Sequence, residues 1–353
     1  MATLTISNAS QTPWKQRDAR GVLEQLVVHA SAILFAAALT ALLPINGKAG
    51  FFIVWLPVHL VFGIALGRFG RRKRDAANSV LEVLLGYGLT VFSVFVGSVL
   101  QPVVTIGLAN FEWNLLFEDA ATTEVDAPLT TGGFGHAIAG TLVMVGIATA
   151  LSVPIGILAA LYVTEVRGKL TGLVRFFVQA MSGVPSIVAG LFIYAALIIN
   201  GVTSFSGLSG ALALSILMLP TVARTAEEIL FLIPDDLRTA ALALGGTQWR
   251  VVRMVVLPAA KSGLVTAGIL GIARVAGETA PLLLTAFGNS ALNLNPTSDS
   301  MSGLPLYIFN QFVLGSVNDV YRGWVAALVL MVMVGLLFLA ARLAVARTYS
   351  QKR

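Results

Sequence analysis

Apolar stretches long enough to cross a bilayer recur eight times along the chain, near 26–44, 50–67, 80–106, 138–163, 175–198, 209–232, 264–287 and 323–346. A hydrocarbon core of ~30 Å needs about 20 apolar residues in a helix, and the second stretch is the shortest of the set. The pattern predicts an all-α integral membrane protein of about eight spans. It divides into a polar tail, two-span hairpin and basic linker (1–79), a six-span unit (80–346) and a short cytoplasmic tail (347–353). Two polar segments interrupt the six-span unit on the outward side, 107–137 and 288–322. The second contains LPLYIFNQFVL at 304–314, too short to span and read as an interfacial or re-entrant helix. On the inward side a polar island at 233–258 separates the sixth and seventh spans.

Charge orients this pattern. Cytoplasmic loops collect Lys and Arg because positive charge resists translocation. With the N-terminus inside, all of the 23 basic residues except Lys48, Arg322 and the mid-membrane Arg274 fall on the cytoplasmic side. Both termini are therefore expected in the cytoplasm of a plasma-membrane protein. Hydrophobic residues make up 57% of the chain and charged residues 11%. The mean hydropathy is +0.86. These values exclude a soluble globular domain. The net charge of +6 then reflects topology and not nucleic-acid binding. The run RFGRRKRD at 68–75 fits either a headgroup contact or a stop-transfer flank. The chain has no cysteine, which removes disulfides and thiolate metal sites. No cleavable signal peptide is evident, since the first span follows about 25 polar residues and precedes a second span.

The polar island carries the strongest motif. It reads IPDDLRTAALALGGTQWRVVRMVVLP, with Ala and Leu at helical spacing, then Gly245–Gly246, then a second run ending at Leu257–Pro258. Thr239, Ala240, Ala241, Gly245, Leu257 and Pro258 fit the signature E-A-A-x3-G-x9-I-x-L-P without a gap. By this signature the chain resembles ABC importer permeases, in which the loop forms a short helix that docks on the ATP-hydrolysing subunit. Thr239 stands where that family usually has Glu, and Val255 where it usually has Ile. Further stretches narrow the resemblance: GGFGHAIAGTL at 132–142, PSIVAGLF at 185–192, LPTVARTAEEIL at 219–230 and ARVAGETAPLLLTAFGN at 273–289 are similar to phosphate-specific ABC importer permeases of the A type. The N-terminal hairpin is not part of that family's core pattern.

Charges inside spans are the remaining signal. Arg274 and Glu278, four residues apart, are expected on one helix face of the seventh span, and Arg224 sits in the sixth span with Glu228 one turn below it. A charge at that depth costs at least ~2.5–3.5 kcal/mol unless it faces protein or a water-filled path. Two readings fit: guanidinium forks lining a path for a tetrahedral oxyanion, or structural ion pairs. Prolines lie within the spans at 102, 154, 185, 220 and 281, and SGVPSIVAG at 182–190 is expected to break a helix.

The resemblance implies a permease that pairs with a C-type sibling, two ATP-binding subunits and an extracytoplasmic phosphate-binding protein. It also implies that Arg224, Arg274 and Glu278 match charged positions used in transport. No G-x-x-x-x-G-K-[ST] loop is present, so ATP and Mg would be used by partner subunits, with no cofactor on this chain and no enzymatic activity of its own. His29, His59 and His136 make no ligand cluster in the sequence. The mechanism implied is alternating access driven by ATP. Permeases for sulfate, molybdate or phosphonate remain open alternatives, as does a secondary carrier using Arg274 and Glu278 as a relay, although a carrier leaves the signature loop unexplained.

Overall fold

In the computed structural model, which describes residues 19–42, 51, 54–55, 57–62 and 73–350, the regular elements are all helices. A single isolated bridge joins Phe287 to Met301. The chain forms two compact units, Met1–Leu100 and Gln101–Arg353. The first contains α1 (Ala19–Leu42) and most of α2 (Lys73–Ala109). Its core is aromatic: Trp55 is buried with Ala36 and Val54, stacks on Phe51 at 6.5 Å and meets Tyr87 at 5.1 Å. The described apolar part of α1 is Ala30–Ala41. Much of the expected second span, 50–67, lies outside the described residues.

Among the described residues five helices are long and apolar enough to span, and a bent pair makes six. These are Leu84–Ala109 of α2, α3 (Gly135–Val166), the pair α4 (Thr171–Ser182) and α5 (Ser186–Ile198), α6 (Gly207–Phe231), α8 (Gln248–Val275) and Val317–Ala340 of α11 (Val317–Ser350). Between them lie α7 (Asp235–Ala243), α9 (Ala280–Thr285) and α10 (Leu304–Leu314).

The most buried span is α6, which packs along α3 on one side and α8 on the other. Lipid offers no hydrophobic drive between helices, so close approach through small residues supplies the packing. Val222 of α6 fits between two such positions: a Cβ on Gly156 of α3 would lie 3.0 Å from it, and one on Gly271 of α8 only 2.8 Å. Met144, Leu214, Leu217, Met218 and Leu282 continue this core without solvent contact.

Two expected spans differ from the hydropathy reading. The stretch 175–198 is not one helix but α4 and α5, bent by 107° at Gly183–Val184–Pro185. Pro185 takes a φ/ψ of −59°/142°, which ends helical geometry, and SGVP was the sequence cue for it. The span placed at 264–287, with a cytoplasmic loop at 233–262 before it, is a larger correction. The helix begins at Gln248 and ends at Val275. Its polar start stays helical because Val251, Val252, Val256 and Ala260 bury one face. Pro258 has no N–H and would crowd the carbonyl four residues back. The turn before it, Val252–Val256, widens to π geometry, with Leu257 N–H donating to Val252 O. At the far end the helix stops at Val275, and the residues Ala276–Thr279 separate it from α9, which carries Pro281 in its first turn. Pro102, Pro154 and Pro220 lie inside continuous helices.

Candidate functional site

The signature loop folds as a short helix and a tight turn. Asp235 and Asp236 occupy the first turn of α7, where carboxylates favour the helix dipole. The helix ends in a double closure: Gly246 N–H donates to Ala241 O at 3.2 Å and Gly245 N–H to Leu242 O at 2.9 Å. That arrangement requires a left-handed residue after the cap, and Gly245 has φ +81°. Thr247 then caps the next helix, accepting from Arg250 N–H at 3.4 Å.

Ala240 is exposed and Ala241 half-buried, while Leu257 and Pro258 lie within α8 just past the π turn. Thr239, also exposed, turns its hydroxyl back to donate to Asp235 O at 3.1 Å. Around the turn, large apolar side chains stand bare: Leu237, Leu242, Leu244, Trp249 and Met254, with Leu244 90% exposed. A clustered apolar surface on a polar loop is what a protein partner covers.

The charged span residues lie on a second surface. Thr221, Arg224 and Glu228 follow one stripe of α6 at helical spacing, and Arg224 and Glu228 are exposed, 3.9 Å apart. Arg274, near the end of α8, donates from Nη1 to Thr221 Oγ1 at 2.9 Å. The two arginines are thus held at adjacent turns of one uncovered α6 face. Glu278 does not share a helix face with Arg274, because α8 has ended and Glu278 sits in the break before α9. Among the described residues these two make no ion pair. Nearby, Arg175 of α4 pairs with Glu227 at 2.9 Å and lies over the Phe231 ring, beside a cavity of about 270 Å³ that Arg224 and Glu228 also line. A stripe of charge left bare on a helix long and apolar enough to span calls for a protein or water neighbour.

At the other end of the second unit, Asp319 and Arg322 form a buried ion pair at 3.4 Å, both less than 5% exposed in their side chains. Arg322 Nη2 also donates to Pro128 O and Thr131 O at 2.9 and 2.7 Å, and Asp319 accepts from Asp126 N–H at 3.2 Å. Asp119 Oδ2 accepts from Leu292 N–H, and Ala120 N–H donates to Ser290 O. The segments 107–137 and 288–322 are therefore tied together and to the start of α11. In the sequence Arg322 reads only as a charge outside the cytoplasmic side, because the carbonyls it reaches, Pro128 and Thr131, are remote along the chain. Arg238 likewise reads only as a cytoplasmic charge, although its guanidinium turns inward to Glu165 at the end of α3. Among the described residues no group of three metal-ligating side chains occurs.

Residues 152–348 match the family described as binding-protein-dependent transport system inner membrane component. The chain is 41% identical over 211 residues to phosphate transport system permease protein PstA 1 of Mycobacterium tuberculosis (strain CDC 1551 / Oshkosh), covering 60% of this chain and 69% of that protein. It is 36% identical over 263 residues to PstA of Pasteurella multocida (72% and 91%) and 35% identical over 285 residues to PstA of Yersinia pestis (78% and 94%). An inward-facing structure of the MetNI methionine ABC transporter aligns with 61% of this chain and 94% of its own at 23% identity, with a TM-score of 0.47. With its family model spanning more than half of the sequence and its relatives matched over most of their length, this multi-pass inner-membrane chain belongs to the binding-protein-dependent transport permeases and, within them, to the PstA family.

Proposed function

We propose that the chain is the A-type permease subunit of an ATP-driven importer that moves inorganic phosphate into the cytoplasm. It works beside a C-type permease, two ATP-binding subunits and an extracytoplasmic phosphate-binding protein. The observation that carries the coupling to ATP is the loop at 235–247: a helix closed by a left-handed glycine and surrounded by bare Leu237, Leu242, Leu244 and Trp249. The cargo rests on the relatives, which are named for phosphate transport.

In this reading ATP and Mg act on the partner subunits and this chain binds no cofactor. Both termini, the 68–75 linker and the docking loop face the cytoplasm, as the distribution of basic residues supports. Closure of the ATP-binding subunits shifts α7, which opens the path outward, and hydrolysis returns it inward. The loop contributes to this cycle only if it contacts the partners differently in the two states.

Arg224 and Arg274 face the path. Guanidinium forks suit a tetrahedral oxyanion, and their placement at adjacent turns of one uncovered α6 face supports that role. Glu278, in the break of the path-lining segment, flanks them without neutralising Arg274. The test is Arg274→Gln in the assembled complex. Loss of phosphate uptake with all subunits retained supports the path, and normal uptake refutes it.

A further inference from the structure

Of the nine residues of α7, Asp235–Ala243, only Arg238 and Ala241 are not exposed. A helix that transmits force must be fixed to what it moves, and so slight a packing face does not fix it. The fixing is polar instead. Arg238 Nη2 lies 2.8 Å from Glu165 Oε1, and its Nε lies 3.2 Å from both carboxylate oxygens. The same guanidinium donates from Nη2 to Leu230 O at 2.9 Å and from Nη1 to Ile233 O at 2.6 Å.

These partners sit at the ends of two spans. Glu165 lies in the π turn Tyr162–Val166 that finishes α3, and Leu230 lies in the last turn of α6 with Ile233 just beyond its end. Gln248 Nε2, at the start of α8, donates to Glu165 O at 2.5 Å. Side-chain exposure is 16% for Arg238 and 6% for Glu165. The hydrogen bonds it donates to Glu165 also hold the Arg238 guanidinium above its ordinary pKa. Beneath the joint, Ala160, Ala226, Leu230, Ile233, Val251 and Val256 close into an apolar cluster.

We infer that the Glu165–Arg238 pair, with the α6 carbonyls it also engages, is the rigid joint that makes α7 and the ends of α3, α6 and α8 move as one body. These residues transmit the motion of the ATP-binding subunits and touch neither ATP nor the transported anion. One planar fork with five donors reaches a carboxylate and two carbonyls together, which an ammonium on a flexible stem does not reproduce. The inference rests on the reading of 235–247 as the docking loop.

The test uses the complete transporter in proteoliposomes, with the phosphate-binding protein supplied. Retained ATP-binding subunit, ATP hydrolysis and phosphate imported per ATP are measured for Glu165→Gln, Arg238→Gln, the double variant and Arg238→Lys. The expected result is that the complexes stay assembled and hydrolyse ATP, while phosphate per ATP falls about tenfold or more in each neutral variant. The double variant should be no worse than Arg238→Gln alone, since that change already removes the contact with Glu165 along with those to the α6 carbonyls.

Arg238→Lys keeps the charge, so it leaves no lone buried carboxylate. It should assemble even if the neutral variants do not, and should still import less phosphate per ATP. Import per ATP within about twofold of wild type in the neutral variants and Arg238→Lys overturns the joint, and so do losses that multiply in the double variant. Failure of the underlying reading shows elsewhere: Gly245→Asp would then keep its ATP-binding subunit.

Discussion

Gly245 separates two reasons why a loop might need glycine. Its φ of +81° lies in the left-handed region, yet an added Cβ would meet no atom of this chain within 4 Å. The chain alone therefore charges a side chain only for conformation, roughly 1–2 kcal/mol for an ordinary L-residue and less for Asn or Asp, or about 5–30-fold in the population of the correct turn. If turn shape were everything, Gly245→Ala would suffer more than Gly245→Asn or Gly245→Asp. If the turn seats against an ATP-binding subunit, bulk and charge dominate, and the order reverses. We expect the second order: partial loss in Gly245→Ala, and loss of the co-purifying ATP-binding subunit and of uptake in Gly245→Asp. The chain itself should still insert in the membrane at normal levels. The assay is co-purification from membranes followed by phosphate uptake. Normal retention and uptake in Gly245→Asp would refute the docking surface.

Three further outcomes follow from the same geometry. Asp319→Asn leaves Arg322 buried without its counter-charge and is expected to destabilise the start of α11 and the 107–137 segment packed on it by about 3–5 kcal/mol, read as a lowered melting temperature in detergent; an unchanged melt contradicts the buried pair. Arg274→Gln should abolish uptake in an assembled complex, and adding Glu278→Gln should not restore it, because the two residues are not paired; recovery in the double variant sinks the path assignment. Single cysteines at Thr122 or Ser290 should react with an impermeant thiol reagent from outside and one at Thr247 should not, with the reverse pattern overturning the orientation.

Hydropathy made the spans near 80–106, 138–163, 209–232 and 323–346 legible, since lipid requires about 20 apolar residues in a row whatever the fold. It misread 248–262, where Arg250, Arg253 and Lys261 dilute a helix whose other face, Val251, Val252, Val256 and Ala260, is buried. It also ran a helix through Gly277 and Pro281 because Leu282–Leu284 kept the stretch apolar. Composition averages over a break that two residues decide. The glycine turn was readable, because the need for a left-handed residue is local. The partners of Arg238, Arg322 and Arg274 were not. Glu165, Pro128 and Thr221 are remote in sequence: the packing of α3, α6 and α8 brings Glu165 to Arg238 and Thr221 to Arg274, and the fold of the 107–137 segment over the start of α11 brings Pro128 to Arg322.

The most direct measurement is phosphate accumulation in proteoliposomes carrying the purified complex, with ATP inside and the phosphate-binding protein outside, challenged with excess sulfate. The account predicts uptake that requires ATP and the binding protein, stops when the ATP-binding subunits are omitted, and is untouched by sulfate. Accumulation that persists without the ATP-binding subunits, or transport of sulfate in place of phosphate, would contradict it.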